Sequence, residues 1–181
     1  MFIAQKLKKE NICEYLLYMW QIEDLIRAFQ LNMDLIDENI IMPYPVSEAE
    51  KKTMYDWYES LIDMMRKENV QENGHLQLNK NVIIELNDFH ELLMQSGAEP
   101  EYNKLFYSIL PHLVQLRKKA EADIGDIELC FNFLYGIMML NLKKEKISEE
   151  TAVAQKDISK FLALLAKDYK LYQEGELDLD K

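Results

Sequence analysis

Punctuation is scarce in this chain: five glycines and four prolines occur in 181 residues. Turns and helix ends draw on those two residue types most. Long uninterrupted elements are therefore expected, and a many-turned β-architecture is disfavoured. Cysteine is scarcer still. Cys13 and Cys130 are the only two, far apart and without a CxxC spacing. That excludes a disulfide framework or a zinc knuckle, and both thiols read as small core residues suited to a reducing compartment. Positive charge is in deficit, with 21 Lys and Arg against 32 Asp and Glu and a formal charge of -11. Nucleic-acid binding relies on neutralising phosphate, so no nucleic-acid partner is expected. An anionic membrane surface is disfavoured for the same reason. Apolar runs are short, and none reaches the roughly 18 residues of a membrane span. Lys6, Lys8 and Lys9 precede an apolar stretch from Ile12 to Trp20. Glu14 interrupts that stretch and no small-residue cleavage site follows, so no secretory signal is expected and the location reads as cytoplasmic.

What the chain does contain is helical rhythm. Apolar residues make up 49% and charged residues 29%, the balance of a folded globular protein. The length suits one domain with a full core of its own. Apolar positions recurring every three to four residues mark seven helices, at about 8–29, 33–42, 47–74, 80–96, 100–119, 126–144 and 148–175. Ser47-x-x-Glu50 is a capping box, Gly97 a left-handed stop, and Pro100 a first-turn residue. Pro111 removes a backbone donor inside the fifth helix and is expected to kink it. From Ile127 to Leu142 nearly every direction around the helix is apolar, which predicts a rod wrapped by its neighbours. The last helix instead carries Ile158, Phe161, Leu162, Leu165, Tyr169 and Tyr172 on one stripe and lysines on the other. The fold class expected is all-α: a single-domain bundle of six or seven helices over 1–175 around the helix at about 126–144. A frayed acidic tail at 176–181 follows.

Function has to be sought in polar residues on apolar faces. In the first helix Glu23 falls within the apolar arc, and Arg27 lies at its margin beside Trp20. Glu four residues before Arg is the favoured order for a pair on one face. A buried charge costs several kcal/mol unless paired, so the leading reading is an internal salt bridge. The alternative is a carboxylate and a guanidinium lining a pocket. In the fourth helix Glu85 lies between the directions of Leu92 and Phe89, and His90 between those of Leu86 and Ile83. His112 lies beside the direction of Leu105. Lone histidines on apolar faces are more often hydrogen-bonded core residues than ligands.

Catalytic and metal patterns are missing. There is no GxSxG turn, no P-loop, no GxGxxG and no HExxH. The only Glu-x-x-His, Glu72 to His75, contains Gly74 at a helix end, a poor frame for the inward-facing ligand pair of a di-iron bundle. No catalytic residue, metal or cofactor is assigned. Met54, Met64, Met65, Met138 and Met139 supply adaptable apolar surface, and a symmetric dimer is the commonest oligomer.

The segment NICEYLLYMWQIEDLIRA at residues 11–28, behind MFIAQ at 1–5, resembles the opening of an uncharacterised bacterial family of small all-helical proteins, classed as a domain of unknown function. The similar overall length extends the resemblance to the whole chain. It implies a compact helical domain in the cytoplasm, and no catalytic residue comes with it. The leading functional expectation is a non-enzymatic cytoplasmic interaction or scaffold protein that forms a homodimer, with a further protein partner as an open alternative. The alternative is a small-ligand or metal-binding helical protein, with an internal pocket walled by Trp20, Glu23, Arg27, Glu85 and His90.

Overall fold

Eight α-helices account for most of the chain, and no strand occurs among the described residues. The computed structural model describes residues 2–120 and 124–179. In chain order the helices are α1 (Phe2–Glu10), α2 (Ile12–Ala28), α3 (Met33–Ile36), α4 (Glu48–Lys67), α5 (Gln77–Ser96), α6 (Pro100–Arg117), α7 (Asp126–Leu142) and α8 (Glu149–Gln173). A single π turn, Asp37–Ile41, prolongs α3. The all-α class expected from periodicity is the class observed. The opening residues, expected to lie outside the first helix, form α1 and end at Glu10, next to Asn11, whose side chain accepts from the Cys13 N–H at the start of α2.

The helix ends obey local chemistry. At α4, Ser47 Oγ accepts from the Glu50 N–H, and Glu50 Oε2 accepts from the Ser47 N–H at 2.9 Å, completing the capping box. Those hydrogen bonds hold the Glu50 carboxyl below the ordinary range. Ser148 caps α8 by accepting from the Thr151 N–H at 3.1 Å. At the other ends, α4, α7 and α8 close with one device. A residue with positive φ (Asn69, Lys144, Gly175) lets the next N–H reach back to the carbonyl of Met65, Leu140 or Leu171. This is the Schellman stop. α6 runs unbroken through Pro111, where a kink is expected from sequence.

The chain separates into two compact units. One comprises 1–9 and 14–81, the other 10–13 and 82–181, so the division falls inside α5. In the first unit Leu16, Ile26, Met54, Met65 and Leu76 are fully buried. Tyr58 is buried as well, and desolvation pushes its phenol far above the ordinary value, with Tyr18 and Tyr44 adding to the effect. In the second unit α6, α7 and α8 pack on one another. Arg117 joins the last turn of α6 to the start of α7 by donating to the Ile124 carbonyl at 2.7 Å and to the Asp126 carboxylate.

α7 departs from the wrapped rod expected. Ile127, Leu129, Cys130 and Phe131 are buried, but beyond them only Ile137 is. Asn132, Gly136, Asn141 and Leu142 are exposed, and Tyr135, Met138 and Met139 are half-covered. The tail also differs from a simply frayed end, because Leu179 is buried; residues 180 and 181 lie outside the described residues.

Candidate functional site

Glu23 is the most deeply buried charged side chain described, with 0% of its surface exposed. The expected bond to Arg27 is not made. Glu23 Oε1 instead accepts from the Leu76 N–H at 2.9 Å and from Asn79 Nδ2 at 2.7 Å. Its Oε2 lies 2.6 Å from His75 Nδ1. Leu76 is the residue immediately before α5, and its carbonyl accepts the first turn's N–H groups. The carboxylate therefore caps the start of that helix, where unpaired N–H groups and the helix dipole favour negative charge. Glu68 contributes a second carboxylate, accepting from the Gln77 N–H at 2.6 Å. His75 stacks on Trp20, ring centroids 4.1 Å apart and planes within 12°.

Arg27 takes a separate part in the same clasp. Its Nη1 pairs with Asp24 at 2.8 Å, and its Nη2 donates to the carbonyls of Val70, at 3.1 Å, and Gly74. The two charges four residues apart on α2 thus avoid each other, because the loop leading into α5 offers both better partners. Glu23 receives N–H donors there, and Arg27 receives carbonyl acceptors. Three groups of the chain, the Leu76 N–H, the Asn79 amide and the His75 ring, bond the Glu23 carboxylate. The cluster holds a loop and a helix start.

The other singled-out residues lie in the second unit. His90 is buried, with Nδ1 2.6 Å from the Tyr102 hydroxyl, among the rings of Phe106 and Phe161. Burial holds its imidazole below the ordinary value, opposed by Asp126. The same burial drives the Tyr102 phenol far upward, so two neutral groups share the bond. His112 is half-buried, and its Nε2 lies 3.4 Å from Asp157 of α8. Glu85 is exposed on α5 and accepts from the Tyr169 hydroxyl at 3.1 Å. Glu85 and His90 thus have different partners, Tyr169 for one and Tyr102 for the other.

Sequence reasoning missed Asp168. It is 3% exposed in α8, and its Oδ2 has no hydrogen-bond partner. Desolvation, with Glu99 and Glu101 adding and Lys167 opposing, pushes its carboxyl from 3.8 up to about 6. A signal was present, since Asp168 stands three residues after Leu165 on the buried stripe. The lysines on either side obscured it. No group of three or more His, Cys, Asp or Glu that could hold a metal ion occurs among the described residues.

These features define an all-helical protein in which the buried Glu23 and His90 are held by groups of the chain itself, while Asp168 is only partly satisfied. The chain belongs to the family described as Domain of unknown function (DUF4924), which matches residues 1–176. That span reaches across both compact units. No curated protein and no solved structure matches the chain.

Proposed function

We propose that this is a non-enzymatic interaction protein that acts as a homodimer, with the outward face of α7 as the contact. The observation that carries the reading is the incomplete covering of that helix, with Tyr135 and Met139 half-buried and Leu142 exposed. Tyr135, Met139 and Leu142 follow one another at helical spacing, and Leu142 is 68% exposed. No charged residue occurs from Leu129 to Leu142, so a second copy meeting this face about a two-fold axis encounters no like charge there. Gly136 lies beside the stripe, and a Cβ built on it would meet no atom within 4 Å. A glycine inside a helix costs about 1 kcal/mol relative to alanine. The cost is offset if a partner helix crosses closely at that point. Tyr107 and Val114 of α6, 61% and 57% exposed, add apolar surface in the same unit. A stable dimer needs about 800 Å² from each partner, more than one helix face supplies.

Residence in a reducing cytoplasm belongs to the same proposal. Cys13 and Cys130 are buried and in no disulfide, and burial pushes the Cys130 thiol far up, which suppresses the reactive thiolate.

Light scattering after size exclusion at about 100 µM, well above a micromolar Kd, tests the proposal. The expected mass is twice the 21.5 kDa of one chain. Met139→Glu is expected to give the single-chain mass with an unchanged helical spectrum. A wild-type monomer, or a dimer indifferent to Met139→Glu, would overturn the reading.

A further inference from the structure

A groove of about 420 Å³ lies between α5 and α8, at the residue that sequence analysis singled out as misplaced, Glu85. Its α5 wall is Glu85, Asp88, Phe89 and Leu92, at the spacing of one helix face; Tyr169 and Tyr172 face them from α8. All of these belong to the second compact unit. Phe89 is buried and forms the floor. The Tyr169 ring meets it edge-on, centroids 5.4 Å apart at 79°, and the Tyr172 ring lies 5.1 Å away at 37°.

Two features of this groove are unusual together. The carboxylates of Glu85 and Asp88 stand one turn apart on one helix, a mildly repulsive arrangement. Neither forms an ion pair with a Lys or Arg among the described residues, and the groove wall contains no basic residue. Glu85 is oriented by the Tyr169 hydroxyl instead. Negative charge is therefore set beside three aromatic rings and left without a counter-charge, in a space large enough for a small molecule.

From this we propose that the α5–α8 groove binds a small organic cation, an alkylammonium or guanidinium whose charged head meets Glu85 and Asp88 and whose hydrocarbon body lies on the rings of Phe89, Tyr169 and Tyr172. The ring faces bury the hydrocarbon body, and the carboxylates supply the complementary charge. A bare divalent ion does not suit the site, because such ions need six or more oxygen ligands and gain nothing from ring faces. An anion is repelled.

Two-dimensional NMR at low salt, titrating the full chain with n-butylammonium and N-ethylguanidinium, tests this, with n-butanol as the neutral isostere. Both cations are expected to shift ring resonances of Phe89, Tyr169 and Tyr172, and butanol is expected to leave them in place. Glu85→Gln is expected to weaken binding roughly tenfold, the scale of one charge-assisted contact. Tyr172→Leu, an exposed substitution that spares the fold, is expected to weaken it about three- to fivefold, as loss of one ring's apolar contact would. Equal shifts from butanol, or cation shifts scattered over the acidic surface and unchanged in both variants, would overturn the proposal. So would binding of a blocked Gly-Lys-Gly peptide without either free cation, which would assign the groove to a protein partner's side chain.

Discussion

At the scale of single residues, the buried Glu23 carboxylate is stabilised by hydrogen bonds from both backbone and side chains. Glu23 is held by one backbone N–H, one amide and one imidazole. Replacing Glu23 by Ala leaves the Leu76 N–H and the Asn79 amide without their acceptor. The expected cost is about 2–4 kcal/mol, read as a lower urea midpoint at unchanged slope. Asp168 is the opposite case, buried without full satisfaction. Its carboxyl is raised from 3.8 to about 6, so the folded state holds that proton more tightly than the unfolded chain. Its stabilising contribution is complete below pH 3.8 and is lost as pH climbs through about 6. Asp168→Asn, which keeps the shape and removes the charge, is expected to stabilise the protein by about 1–3 kcal/mol at pH 7. The gain should vanish in urea titrations near pH 4. His90 has the reverse sign. Burial lowers it from 6.5, so its contribution is full above pH 6.5 and declines as the solution is acidified. His90→Gln, able to bond the Tyr102 hydroxyl, is expected to flatten that acid-side decline in the same titrations.

At the scale of elements, the helices start and stop by different routes. α4 and α8 carry their caps in adjacent sequence, Ser47 with Glu50 and Ser148. The capping box is accordingly legible from four letters. α5 has no such cap. Its first N–H groups are satisfied by Glu23 and Glu68, residues distant along the chain. That is why periodicity places its start near residue 80, three residues after the observed Gln77. The ends are less economical. Lys144 holds a φ of 58° at the stop after α7, a conformation that costs a side-chain-bearing residue about 1 kcal/mol. Lys144→Gly is expected to raise stability by about 0.5–1 kcal/mol, visible as a higher Tm with no change in helical signal.

For the whole molecule, charge and apolar surface oppose each other. A formal charge of -11 on each chain repels a second copy at long range. The proposed contact face itself is uncharged from Leu129 to Leu142. Self-association through it should therefore strengthen with salt, because screening shortens the repulsion to about 10 Å at 0.1 M and leaves apolar burial intact. Sedimentation at about 10 and 150 mM NaCl, which brackets that screening range, is expected to show the dimer gaining at the higher salt. Gly136→Ala separates the two roles of that glycine. It is expected to stiffen the single helix while weakening the dimer, a pair of effects that a glycine with no partner would not produce.

The helical class, most element boundaries and the buried stripes of α2, α5 and α8 were legible in sequence, because a 3.6-residue period is a local property of adjacent letters. Glu23, Glu85 and His90 stood out for the same reason, as polar letters on apolar arcs. Their partners did not. Nothing near Glu23 in the chain announces His75, Leu76 or Asn79, and nothing near Glu85 announces Tyr169. The covering of α7 was likewise beyond reach, since an all-round apolar helix reads the same whether its outer half meets its own chain, a second copy or water. Adjacent residues settled which segments coil and which side of each is apolar. Only the tertiary structure decided which distant group answers each buried charge and which apolar face is left open, because those outcomes depend on where segments far apart in the chain come to lie.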